Sequence, residues 1–147
     1  MANIGRRNKT DQHVTTPGEA VRGDPSKIQN FTDLVAWQKA RAFVRRVYEA
    51  TERFPREEAY GLTQQLRRAS VSVPSNIAEG YGRGSRKEYM RYIQMARGSL
   101  YEIQTQLWLA QDIGYLTPGE TQSLTDNAAE CIRLAQGLLR GLAKLQT

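Results

Sequence analysis

The chain has one cysteine, Cys131, and one histidine, His13, in 147 residues. A single thiol excludes an intramolecular disulfide, and with a single imidazole it excludes a Cys/His metal cluster. No apolar run approaches the roughly 20 residues that a membrane-spanning helix needs, and no apolar secretory core follows Met1. A reducing, cytoplasmic setting without membrane or cofactor is therefore expected. Beyond residue 30 there is no histidine, no activated nucleophile and no paired-carboxylate constellation, so catalysis is not expected.

Acidic residues are also in short supply. There are 15 Asp and Glu against 21 Lys and Arg, a formal charge of +6. The excess is localised. Between Ala59 and Gln104 stand Arg67, Arg68, Arg83, Arg86, Lys87, Arg91 and Arg97, against only Glu79, Glu88 and Glu102. The rest of the chain from Phe31 onward is balanced. A basic middle third favours a polyanionic partner, RNA or DNA before a membrane surface. A high isoelectric point alone is common in small proteins and carries less weight.

The length suits one domain with its own core. Residues 1–30 lack periodicity and are rich in Gly, Pro, Thr, Asn and charge, which reads as a disordered tail holding an inert His13. Residues 31–147 read as four helices. The first is expected from an N-cap at Thr32 to Phe54, before Pro55, with a seam of Ala36, Ala40, Phe43, Val47, Ala50 and Phe54. Beside that seam lies a second stripe, Leu34, Trp37, Val44 and Tyr48, which is either one wide core face or a contact for a neighbouring subunit. The second helix starts near Ala59–Thr63 with a seam of Leu62, Leu66, Ala69, Val73, Asn76 and Gly80, and Pro74 is expected to kink or split it.

The glycines of GYGRGS fit neither a dinucleotide fingerprint nor a P-loop, and read as a helix end and tight turn. Ser85-x-x-Glu88 then opens the third helix as a capping box, with a seam of Tyr89, Ile93, Ala96, Leu100, Ile103, Leu107 and Ala110. Arg86 and Lys87 in its first turn oppose the helix dipole, unless an anion binds there. Gly98, in mid-helix, is expected to permit close approach of another backbone. Thr117-Pro118-Gly119-Glu120 starts the fourth helix, with an N-cap at Thr117, Pro at N1 and Glu at N3, and a seam of Leu124, Ala128, Cys131, Ala135, Leu138, Leu142 and Leu145. Cys131 on that seam is a small core residue. Short links imply an all-α, up-down-up-down antiparallel four-helix bundle.

The most unusual stretch is Arg67 to Arg83, RRASVSVPSNIAEGYGR, because hydroxyl, β-branched and proline residues all disfavour helix. Asn76 on the seam must find partners or cost about 1–3 kcal/mol. A structural polar network of Ser72, Asn76, Glu79, Arg97, Ser99 and Glu102 would supply them, with Glu79 pairing Arg97 or Arg67. The alternative is a functional polar site lined by Ser72, Asn76, Glu79 and Arg83.

The segments FTDLVAWQKA (Phe31 to Ala40), LRRASVSVPSNIAEGYGR (Leu66 to Arg83), ARGSLYE (Ala96 to Glu102) and IGYL (Ile113 to Leu116) resemble the four-helix-bundle proteins encoded in intervening sequences of bacterial 23S rRNA genes. That family is related to the accessory variability proteins of diversity-generating retroelements. The resemblance covers Phe31 to Leu145, and implies a homopentameric ring with a role linked to RNA or DNA. On this reading Arg67, Arg68, Arg83, Arg86, Lys87 and Arg91 contact phosphate, and Tyr81 or Tyr89 stacks on bases. The competing expectation is a scaffold for a protein partner such as a polymerase or ribosomal component.

Overall fold

The computed structural model describes residues 27–145; the expected tail, His13 included, lies outside them except for residues 27–30. Among the described residues the architecture is all-helical: α1 (Val35–Thr51), α2 (Leu62–Gly82), α3 (Arg86–Ile113) and α4 (Pro118–Lys144). Each helix packs on the next in sequence, and α1 also packs on α4. Cross-links show pairs running in opposite directions. Lys39, Arg46 and Arg53 of the α1 arm meet Glu130, Ser123 and Glu120 of α4 in that order. Gln65, Ser72 and Glu79 of α2 likewise meet Gln106, Ser99 and Tyr92 of α3.

Local chemistry sets the helix ends. Thr32 is not the first cap. Asn30 caps a short 3-10 turn, Phe31–Asp33, and the Asp33 carboxylate accepts the Asn30 N–H in return. The α-helix proper begins at Val35, behind Leu34, which offers no capping side chain. Ser85 accepts the Glu88 N–H at 3.3 Å, but the reciprocal half of the expected box is not made. At α4 the box is complete, between Thr117 and Glu120. Gly84 and Gly114, at φ 74° and 94°, terminate α2 and α3 in the left-handed region that glycine adopts without strain.

Pro74 does not split α2, which runs unbroken through it. The serines around it are satisfied within the helix, since Ser70, Ser72 and Ser75 donate to the carbonyls of Arg67, Ala69 and Val71.

The core is built on Phe43, Val47, Leu66, Val73, Ile77, Ile93, Leu100, Ile103 and Leu107, each at most 2% exposed. The expected α3 seam holds, with Tyr89 half-buried at its start. In α2 the seam steps to Ile77, leaving Asn76 half-buried at its edge. In α4 the core passes through Ile132 and Leu139 rather than Leu138 and Leu142, and Leu145 is 67% exposed. A straight helix drifts about 20° per heptad against a strict seven-residue repeat, so late positions rotate off the seam. Cys131 is a core residue, and burial pushes its thiol up to about 12. No described helix is long and apolar enough to cross a membrane.

Candidate nucleic-acid interface

The α2–α3 contact gathers the unusual residues. Gly80 is buried where α2 meets α3, and a β-carbon there would stand 2.7 Å from Tyr92 Cβ. Beside that contact, Glu79 and Arg83 close over the same tyrosine. The buried Tyr92 hydroxyl donates to Glu79 Oε1 at 3.2 Å and accepts from Arg83 Nη2 at 2.6 Å. Arg83 also donates to Glu79 Oε1 at 2.7 Å. Its guanidinium lies 5.0 Å from the Tyr92 ring centroid, and Arg91 lies 5.3 Å from the same ring. The Arg83 bond holds the Glu79 carboxyl below the usual carboxylate range, against a smaller opposing effect of desolvation.

This arrangement corrects the expected network. Ser72 and Ser99 do join, their hydroxyls sharing a 2.8 Å hydrogen bond. Glu79 pairs with Arg83 and Tyr92, not with Arg97 or Arg67. Glu102 instead accepts from Gln106 one turn along its own helix at 3.2 Å. Among the described residues Asn76 has no side-chain hydrogen bond, and its half-exposed position at the seam edge removes the need for a buried partner. Tyr92 is the residue that sequence reasoning missed. Its signal was its place one position before the seam residue Ile93, on the face that the EGxxR segment of α2 covers.

The six expected phosphate contacts have different surroundings. Arg67 is tied to the end of α1: its Nε donates to Thr51 Oγ1 at 2.8 Å and its guanidinium lies 4.5 Å from the Tyr48 ring. Arg83 and Arg91 pair with Glu79 and Glu88, at 2.7 and 3.4 Å. Arg68 and Lys87 are exposed or nearly so, and Arg86 stands in the first turn of α3. Among the described residues Arg67, Arg68, Arg86, Lys87 and Arg97 have no carboxylate within 4.0 Å. Tyr81 and Tyr89 pack edge to face at 6.0 Å, both half-buried, and burial pushes the Tyr89 hydroxyl up to about 12. The chain from residue 98 to residue 132 carries no Lys or Arg but holds Glu102, Asp112, Glu120, Asp126 and Glu130. Charge is thus segregated along the sequence. Among the described residues no three His, Cys, Asp or Glu side chains gather as a metal-binding group.

A family model described as "23S rRNA-intervening sequence protein" matches residues 32–137. A crystal structure of a protein with unknown function, from the S23 ribosomal protein family of Bacteroides thetaiotaomicron VPI-5482, is similar in fold. It superposes with a TM-score of 0.65 at 20% sequence identity, covering 72% of this chain and 99% of that one. Likeness at that identity shows a shared fold. No curated protein matches the chain in sequence.

Proposed function

Since the chain belongs to the 23S rRNA-intervening sequence protein family, we propose that it is a non-enzymatic, cytoplasmic nucleic-acid-binding protein whose partner is RNA. On this reading the bundle is wound up-down-up-down and assembles with copies of itself, as a pentamer if it follows the resemblance. The observation that carries the proposal is the charge segregation: five of the seven cations between Ala59 and Gln104 have no carboxylate partner among the described residues. Self-neutralised cations cannot replace counterions on a phosphate chain, whereas unpaired ones release them on binding. Arg86 and Lys87 carry the contact at the end of α2, Arg83 and Arg91 stand beside them on Tyr92, and Arg68 with Arg67 extends it towards the start of α2. Recognition through such groups is tolerant of sequence and steep in salt.

Fluorescence anisotropy with a structured RNA, titrated from low to high salt, tests this. Binding that weakens linearly in log-log form supports it, and no binding at the lowest salt overturns it. The second reading, a scaffold for another protein, draws on exposed apolar side chains such as Trp108, at 48% exposure. Pull-down from nuclease-treated lysate separates the two, because a protein partner survives the nuclease.

A further inference from the structure

Among the described residues two apolar surfaces stand open on the bundle, and they differ in shape and charge. The first is a groove of about 360 Å³ between α1 and α2, floored by Trp37, Val44, Val71, Pro74 and Ala78. The charged side chain in its lining is Arg41, which lies 5.5 Å from the Trp37 ring centroid. The second surface is a ridge along the outer side of α3. Tyr101, Trp108, Leu109 and Ile113 are each 47–57% exposed there. Its charged residues are Glu102 and Asp112, and no cation occurs anywhere in the C-terminal half of the helix. At the N-terminal end of the ridge sits Gly98, where an added β-carbon meets nothing within 4 Å. The close approach expected at Gly98 is therefore not made among the described residues. Monomeric proteins rarely leave contiguous apolar patches of this kind open.

We infer that the α3 ridge of one copy seats in the α1–α2 groove of the next, with Trp108 as its central anchor. This rests on the self-assembly proposed above and names the surfaces that perform it. The argument is complementarity. An apolar groove whose lining charge is Arg41 fits an apolar ridge whose charges are Glu102 and Asp112, and opposed potentials of this kind select the partner and fix its register. Large aromatic side chains in central positions carry most of the energy of such contacts. Because groove and ridge are different parts of one chain, the contact is heterologous. Each copy offers one of each, so the chain closes into a ring or continues as a filament.

Trp108→Ala removes the anchor, and Val71→Glu puts into the groove a charge of the ridge's own sign. Both positions are exposed, so circular dichroism should show unchanged helix content; Ile113→Ser and Ala78→Glu serve as a second pair. The readout is mass by light scattering. Each variant alone should run as a single chain, and an equimolar mixture should give a one-to-one dimer, because one intact groove and one intact ridge remain between them. A mixture that stays monomeric, or either variant assembling as the wild type does, overturns the pairing and leaves self-assembly standing. A wild-type chain that is monomeric at every concentration overturns both.

Discussion

Tyr92 fills the space that Gly80 leaves open: a β-carbon on Gly80 would stand 2.7 Å from the Tyr92 Cβ and 3.2 Å from the Tyr89 carbonyl oxygen. Neither atom belongs to the movable end of a side chain. The α2–α3 approach therefore needs glycine here for room, since its backbone angle is ordinarily helical. Glu79 and Arg83 then reach Tyr92 across a gap that a larger residue would widen.

Gly80→Ala should accordingly destabilise the fold, by about 1–3 kcal/mol of overpacking, although alanine is the better helix former by about 1 kcal/mol. Gly98→Ala is the contrast, because its open surroundings leave only the helix-propensity gain of roughly 0.5–1 kcal/mol. Urea midpoints should move in opposite directions for the two variants. A stabilised Gly80→Ala would show that the close approach is not there.

Tyr92→Phe keeps the buried ring and the two guanidiniums beside it but removes the hydroxyl that joins Glu79 to Arg83. Its expected cost is about 1 kcal/mol, with the usual scatter for one hydrogen bond. Glu79→Gln weakens the same cluster, so the two changes should be non-additive in a double-mutant cycle. Strictly additive effects would mean that the carboxylate and the hydroxyl act independently.

Acid should loosen the bundle at two defined points. The Arg83 bond holds Glu79 below the ordinary value of 4.5, and Arg53, followed by the Thr117 cap, does the same for Glu120. The unfolded chain takes up these protons near pH 4.5 while the folded chain still resists. Stability is therefore present in full above that pH and is lost as pH falls below it, until the folded carboxyls protonate. The Glu79→Gln, Glu120→Gln double variant should start less stable at neutral pH and show a shallower loss on acidification in urea titrations. An equally steep loss would assign the acid sensitivity elsewhere.

Helix number, the α3 seam, the α4 capping box and the core role of Cys131 were all legible in the chain, because each is a local pattern with a period or a fixed spacing. Contacts that depend on rotation about a helix axis were not. Asn76 and Ile77 are adjacent in sequence, and only the accumulated drift of α2 past Val73 decides which of them enters the core. The same ambiguity points Glu79 to Arg97 or Arg67, whereas its partners are Arg83, one turn away, and Tyr92, opposite. Charge composition marked the basic third of the chain but treated its arginines alike, although Arg67 spends its donors on the end of α1.

That difference separates two groups of arginine substitutions. Arg67→Ala removes a bond to Thr51 Oγ1 and the stacking on Tyr48, both of which fasten α2 to the last turn of α1. It should cost stability on the order of 1 kcal/mol, since a hydrogen bond to a charged group and an exposed cation–π interaction go together. Arg68→Ala and Lys87→Ala alter side chains without ion-pair partners among the described residues, and should leave the unfolding free energy within about 0.5 kcal/mol of the wild type. Their effect should fall on RNA. Removing one phosphate-binding cation reduces the slope of log affinity against log salt by about 0.7–0.9. The double variant should therefore bind more weakly at low salt and weaken less on going to high salt. Arg67→Lys keeps the charge but not the planar donor geometry, and should keep the wild-type salt slope while showing most of the stability defect of Arg67→Ala. If Arg68→Ala and Lys87→Ala leave the slope unchanged while Arg67→Lys alters it, the phosphate-binding face lies elsewhere on the bundle.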